Sequence, residues 1–201
     1  MIDAIVHLKC LKALAIISPR VGFVRGLSRL IQGLATSKTT KHDLPSLERL
    51  VISRQASHHP KKFRLYNSLI VTTAGDQEEE SDPNSTQHYF DMLQHIPSIA
   101  SLKTIEFHGV NVEEYNNNSF EKQYQAKEFT LFCRKLQMHP SIEVLECIKM
   151  NCISSESLHH LSKSMTLRQL ILDSHGLNNV QERDLCVFND HPSIKMIRTF
   201  M

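Results

Sequence analysis

Four copies of one short string punctuate the 201-residue chain: Pro45-Ser46-Leu47, Pro97-Ser98-Ile99, Pro140-Ser141-Ile142 and Pro192-Ser193-Ile194. Each opens an apolar run, and the last three directly follow a stretch whose apolar residues recur at helical spacing. Self-similarity of this kind marks a repeat architecture, in which one unit recurs and buries its apolar face against its neighbours. Proline lacks the N–H that a helix interior needs and pushes the preceding residue towards extended backbone. The last three tags therefore predict helix ends as well as strand approaches.

The clearest unit follows Thr166 and reads Leu167-x-x-Leu170-x-Leu172-x-x-His175-x-Leu177. In a short strand, alternate side chains point to opposite faces, so Leu170 and Leu172 should enter a core while Gln169 and Ile171 face out. Other segments lie on the same template. They are Leu11-x-x-Leu14-x-Ile16, Leu47-x-x-Leu50-x-Ile52, Leu102-x-x-Ile105-x-Phe107, Ile142-x-x-Leu145-x-Cys147 and Ile194-x-x-Ile197-x-Thr199. Counted from the first apolar position, the intervals are 36, 55, 40, 25 and 27 residues. The last two fit a repeat of about 20–29 residues. The interval of 55 predicts a degenerate unit around Leu65 to Val71 and an inserted loop, and that of 40 predicts a long helix.

Phe23, Leu27, Leu30, Ile31 and Leu34 recur at three- and four-residue spacing, as do Phe129, Phe132, Cys133 and Leu136. Tyr89, Phe90, Leu93 and Ile96 form a shorter series, and so do Leu158, Leu161 and Met165. Ser154 or Ser155 should cap the helix that carries Leu158, with Glu156 in its first turn. The acidic segment 75–86 (GDQEEESDPNST) has no apolar residue and reads as a disordered loop. Asn116 to Asn118 reads as a second loop before a helix over 120–138.

The phrase Thr166-Leu167-Arg168-Gln169-Leu170-Ile171-Leu172, with the turn-to-helix phrase Cys152-Ile153-Ser154-Ser155-Glu156-Ser157-Leu158, resembles the leucine-rich-repeat family in its ribonuclease-inhibitor-like form. The likeness is clearest over residues 140–201. The Asn/Cys position of the family pattern is occupied by His175. This resemblance implies an α/β solenoid, with a parallel sheet on the concave side and helices on the convex side. It implies a single domain over residues 1–201, irregular over 1–100 and regular over 101–201. It also implies a protein-binding role without catalytic residues. By strand alternation the concave face would carry Arg49, Val51, Ser53, Thr104, Glu106, His108, Gln169, Ile171, Asp173, Met196, Arg198 and Phe200. The expected partner is a protein. An alternative by family analogy is the target-recognition part of an F-box-type ubiquitin ligase, although no F-box-like segment is evident. Residues 1–16 run almost directly into a repeat strand and the chain stops within one, so the expectation is that the chain is one part of a larger array or self-associates through exposed solenoid ends.

Composition narrows the function classes. The chain is 41% hydrophobic and 22% charged, the balance of a globular protein, and no apolar stretch approaches the roughly 18 residues of a membrane span. Net charge is +2, divided into +9 over residues 1–64 and −7 over 65–201. The five cysteines, Cys10, Cys133, Cys147, Cys152 and Cys186, are odd in number and mostly lie in apolar runs. They read as reduced core thiols of a cytoplasmic or nuclear protein. Cys147-x4-Cys152 with His159-His160 nearby invites a zinc reading, but it lacks a matching second pair, so no metal or other cofactor is expected. His139 and His191 precede Pro-Ser tags and should belong to a repeated turn. No nucleophile elbow or glycine-rich phosphate loop occurs, so no enzymatic activity is expected. The basic run His58 to Arg64 is the one nucleic-acid-like feature, too small for a protein whose overall charge is far from strongly basic.

Overall fold

A computed structural model describes residues 11–17, 23–36, 47–53, 68–72, 85–109, 119–173, 177 and 180–199. The chain forms two compact units, Met1–Leu102 and Lys103–Met201. Both are mixed α/β, and the strand pairs within each are parallel. Among the described residues, no helix is long and apolar enough to cross a membrane. The basic run His58 to Arg64, residues 75–84 and Asn116 to Asn118 lie outside the described residues. Ser85 and Thr86, read from sequence as the end of the acidic loop, instead open a helix.

The first unit contains β1 (Ala13–Ile17), α1 (Phe23–Thr36), β2 (Arg49–Ser53), β3 (Ser68–Thr72) and α2 (Ser85–His95). A 3-10 turn, Ile96–Ser98, follows. The β1–β2 register pairs Leu14 with Leu50 and Ile16 with Ile52, as the 36-residue interval requires. All five residues of β1 are buried. An unbroken apolar run of this kind suits a central parallel strand covered on both faces. Accordingly β1 has β2 on one side and β3 on the other. The strand expected near Leu65 to Val71 therefore exists, but it pairs with β1 rather than extending the row beyond β2. Its Ile70, 46% exposed, suits that outer position. α1 buries Leu27, Leu30, Ile31 and Leu34, α2 buries Phe90, Met92 and Leu93, and the two helices pack together.

The second unit contains β4 (Thr104–His108), α3 (Ser119–Gln137), β5 (Val144–Ile148), α4 (Ser155–Leu161), β6 (Gln169–Asp173), α5 (Glu182–Leu185) and β7 (Lys195–Thr199). A 3-10 turn, Cys186–Phe188, precedes β7. The four strands lie in chain order, β4-β5-β6-β7. Ile105, Leu145 and Leu170 stand in one register row, and Phe107, Cys147 and Leu172 in another. All six are buried, as the alternation along each strand predicts. Phe129, Phe132, Cys133 and Leu136 of α3 are buried as well, and Phe132 meets Phe107 edge-on with ring centroids 5.7 Å apart. Rings at that spacing and tilt bring the positive edge of one to the negative face of the other.

α4 begins at a reciprocal cap. The Ser157 N–H donates to Ser154 Oγ at 3.1 Å, and the Ser154 N–H donates to Ser157 Oγ at 2.9 Å. Two orphan donors of the first turn are thereby satisfied. Ser154 is thus the cap, as one of the two serines expected, and its hydroxyl also lies 3.0 Å from that of Thr130 on α3.

The Pro-Ser tags have a specific local chemistry. His139 Nδ1 accepts from the backbone N–H of Ser141 and of Ile142, both at 3.2 Å. His191 Nδ1 does the same for Ser193 at 3.2 Å and Ile194 at 2.9 Å. In the Pro97 tag, which lacks that histidine, the Ile96 carbonyl accepts from the Ile99 N–H at 3.1 Å; Pro45 and Ser46 lie outside the described residues. In each case the backbone N–H of the buried isoleucine that starts the next approach is matched.

The last strand departs from the expected register. β7 pairs Leu170 with Met196 and Ile171 with Ile197, one residue away from the equivalence of Leu170 with Ile197. Ile194 remains buried at its tag, so the slip falls between the tag and the ladder. A one-residue slip exchanges the faces of a strand. Met196 and Arg198, expected to face outward, therefore stand in the rows of Leu170 and Leu172, and Ile197 takes an outward row.

Candidate functional site

Strand alternation places a second set of residues on the face opposite the leucine rows. In the first unit this face is not an open surface. Ala13, Ala15 and Val51 form a buried cluster there, and Ser53 is also buried. Val51 and Ser53 were expected to be accessible; only Arg49 of that strand keeps partial exposure.

In the second unit two outward rows run across the strands. Thr104, Val144, Gln169 and Lys195 form one, and Glu106, Glu146, Ile171 and Ile197 form the other. Thr104, Val144, Glu146, Gln169, Ile171 and Ile197 are half-buried, and Lys195 is exposed. Glu106, His108 and Asp173, although predicted for an accessible face, are buried. Phe200 lies outside the described residues.

Asp173 has a structural task. Its Oδ2 accepts the backbone N–H of Lys149 at 2.7 Å. Lys149 has a φ of 54°, the left-handed region that disfavours a side chain. Gly109 occupies the matching place at the end of β4, with a φ of 64°, and donates its N–H to the Ile148 carbonyl at 2.8 Å. The exit from each of these strands thus turns through left-handed backbone, and the buried carboxylate of Asp173 accepts from one of the two turns.

Glu106 and His108 are two residues apart on β4, hence on one face, and Glu146 is the register partner of Glu106 on β5. His108 Nε2 lies 3.7 Å from Glu106 Oε2 and 3.6 Å from Glu146 Oε1. These separations exceed hydrogen-bond length. The donor atoms of all three residues lie within 4.8 Å of one another. Glu146 was missing from the expected face, although applying the alternation to Ile142-x-x-Leu145-x-Cys147 would have found it; Lys195 and Ile197 were missed because of the slipped register.

The cysteines are placed differently. Cys133, Cys147 and Cys152 are buried, and desolvation pushes all three thiols up, that of Cys152 to about 12. A thiol held protonated is a poor nucleophile and a poor ligand. Cys147, Cys152, His159 and His160 do not converge with metal-ligand spacing among the described residues. His160 Nδ1 instead lies 3.1 Å from Gln137 Oε1, and burial lowers its affinity for a proton.

Comparison with protein-family models, with curated proteins and with solved structures returns no match.

Proposed function

We propose that this chain is a non-catalytic protein-binding module and that its second unit is a leucine-rich-repeat solenoid. One observation carries the reading. Leu170 and Leu172 are buried while Gln169 and Ile171 between them keep partial exposure, and the strands on either side extend the rows with Val144, Glu146, Lys195 and Ile197. Chain-order parallel strands joined by helical segments are the arrangement such repeats require. Two rows of side chains on hydrogen-bonded strands form a preformed surface, so little ordering entropy is lost on contact. Apolar Ile171 and Ile197 beside charged Glu146 and Lys195 give it both a desolvating centre and a charge pattern, the mixture that protein interfaces use.

The test is affinity capture from a native extract with the wild-type chain and with the double variant Ile171→Glu, Lys195→Glu. Circular dichroism establishes that the variant is folded. A partner retained by the wild type and lost by the variant supports the reading. Partners that bind both equally would show that this face is not the binding surface.

A further inference from the structure

We propose that Glu106, His108 and Glu146 form a binding site for a divalent transition-metal cation of the zinc class. The three side chains come from adjacent parallel strands whose register is fixed by backbone pairing. Glu106 and Glu146 are direct cross-strand partners, an arrangement that is unfavourable for two like charges unless positive charge lies between them. The imidazole of His108 projects into the same place, with its Nε2 buried and 3.6–3.7 Å from an oxygen of each carboxylate. Zinc bonds imidazole nitrogen and carboxylate oxygen at about 2.0–2.2 Å, which holds neighbouring ligand atoms about 3.0–3.5 Å apart. The two nitrogen–oxygen separations need only a few tenths of an ångström to reach that range, and the two carboxylate oxygens, all three donor atoms lying within 4.8 Å of one another, close on the ion by side-chain rotation. The two carboxylates supply negative charge that a divalent cation offsets.

Ligand type narrows the metal. One imidazole with two carboxylates suits zinc or manganese, whereas a soft, thiolate-seeking ion would find no sulfur here. Three protein ligands leave a fourth position for water or for a donor from a bound partner. Glu146 has a side-chain exposure of 24%, so that position can open towards the outward face. The site does not depend on the protein-binding reading, because it would exist in the isolated chain.

The experiment uses the full chain, stripped with chelator and kept reduced. ZnCl2 is titrated by calorimetry, and CoCl2 is followed by visible absorption. The expected result is one equivalent bound per chain at micromolar zinc, with a cobalt spectrum of nitrogen and oxygen ligation and no thiolate charge-transfer band. Glu146→Gln and His108→Gln should each weaken zinc binding by at least about 10-fold, the lower bound seen even for outer-shell partners. Cys186→Ser and His159→Gln, which alter exposed groups elsewhere, should leave it unchanged. Glu146 is only partly buried and Gln is close to it in shape, so its glutamine variant keeps the fold even if His108→Gln does not. Failure of the wild type to bind zinc would overturn the proposal. So would binding that survives Glu146→Gln, or a thiolate cobalt spectrum.

Discussion

Replacing His139 tests the chemistry of the repeated tag. Its Nδ1 accepts from two consecutive backbone N–H groups, those of Ser141 and Ile142, and the second of these bonds is buried. In His139→Ala the Ser141 amide, only part-buried, can turn to water at a cost of about 0.5–1 kcal/mol. The Ile142 amide cannot, and an unmatched buried donor costs about 1–3 kcal/mol. The sum, about 1.5–4 kcal/mol, should appear in urea unfolding followed by circular dichroism as a lower midpoint at unchanged slope. Asparagine sets its Oδ1 close to where histidine sets Nδ1 and bonds the backbone two residues on in the same way. His139→Asn should therefore recover most of the loss, whereas His139→Gln, whose amide lies one bond further out, should not. His191 Nε2 is also 2.9 Å from the Ser162 carbonyl, so His191→Asn should retain a deficit of about 1 kcal/mol. Equal stabilities for the alanine and asparagine variants at position 139 would refute the assigned role of Nδ1.

Other outcomes follow from the same geometry. Leu170→Ala or Leu172→Ala should destabilise by about 2–5 kcal/mol, since both are buried, while Gln169→Ala and Ile171→Ala should cost far less; equal losses by urea titration would mean that the alternation is wrong. Gly109→Ala should cost about 1–2 kcal/mol because a Cβ is forced into left-handed backbone, whereas Lys149→Gly should be neutral or stabilising in thermal melts. Alkaline pH should weaken the fold. Burial raises the folded thiols above the ordinary 9.0, so their contribution is complete below that pH and is lost as pH climbs towards about 12. Each such thiol changes stability by at most about 1.4 kcal/mol per pH unit, and Cys152→Ala should flatten the measured slope by that amount. In a thiol-labelling map of the native protein, Cys186 should react while Cys133, Cys147 and Cys152 stay protected until unfolding.

Much of the second unit is visible in its residues. The intervals of 40 and 25 between template copies are the register offsets of β4 with β5 and of β5 with β6. The helix expected over 120–138 spans Ser119–Gln137, and the histidines before the tags belong to the turn. These features are local or strictly periodic, so each is encoded within a few residues. The candidate metal cluster was only half visible. Glu106-x-His108 marks one strand face, but it becomes a three-donor site only when β5 brings Glu146 opposite Glu106.

Three features needed neighbours that no single segment contains. β3 lies beside β1 because β1 has a second ladder edge to offer, and the spacing of apolar residues says nothing about which edge a strand takes. β7 slips by one residue because hydrogen bonding to β6 sets its register, and the tag ahead of it does not. Asp173, Glu106 and His108 alternate as surface residues do, yet they are buried, because exposure depends on what covers a face as well as on which face a residue takes. Side-chain period is a property of the backbone and can be read along the chain. Strand order, register and cover are set by contacts between segments far apart in sequence, and only the folded structure decides them.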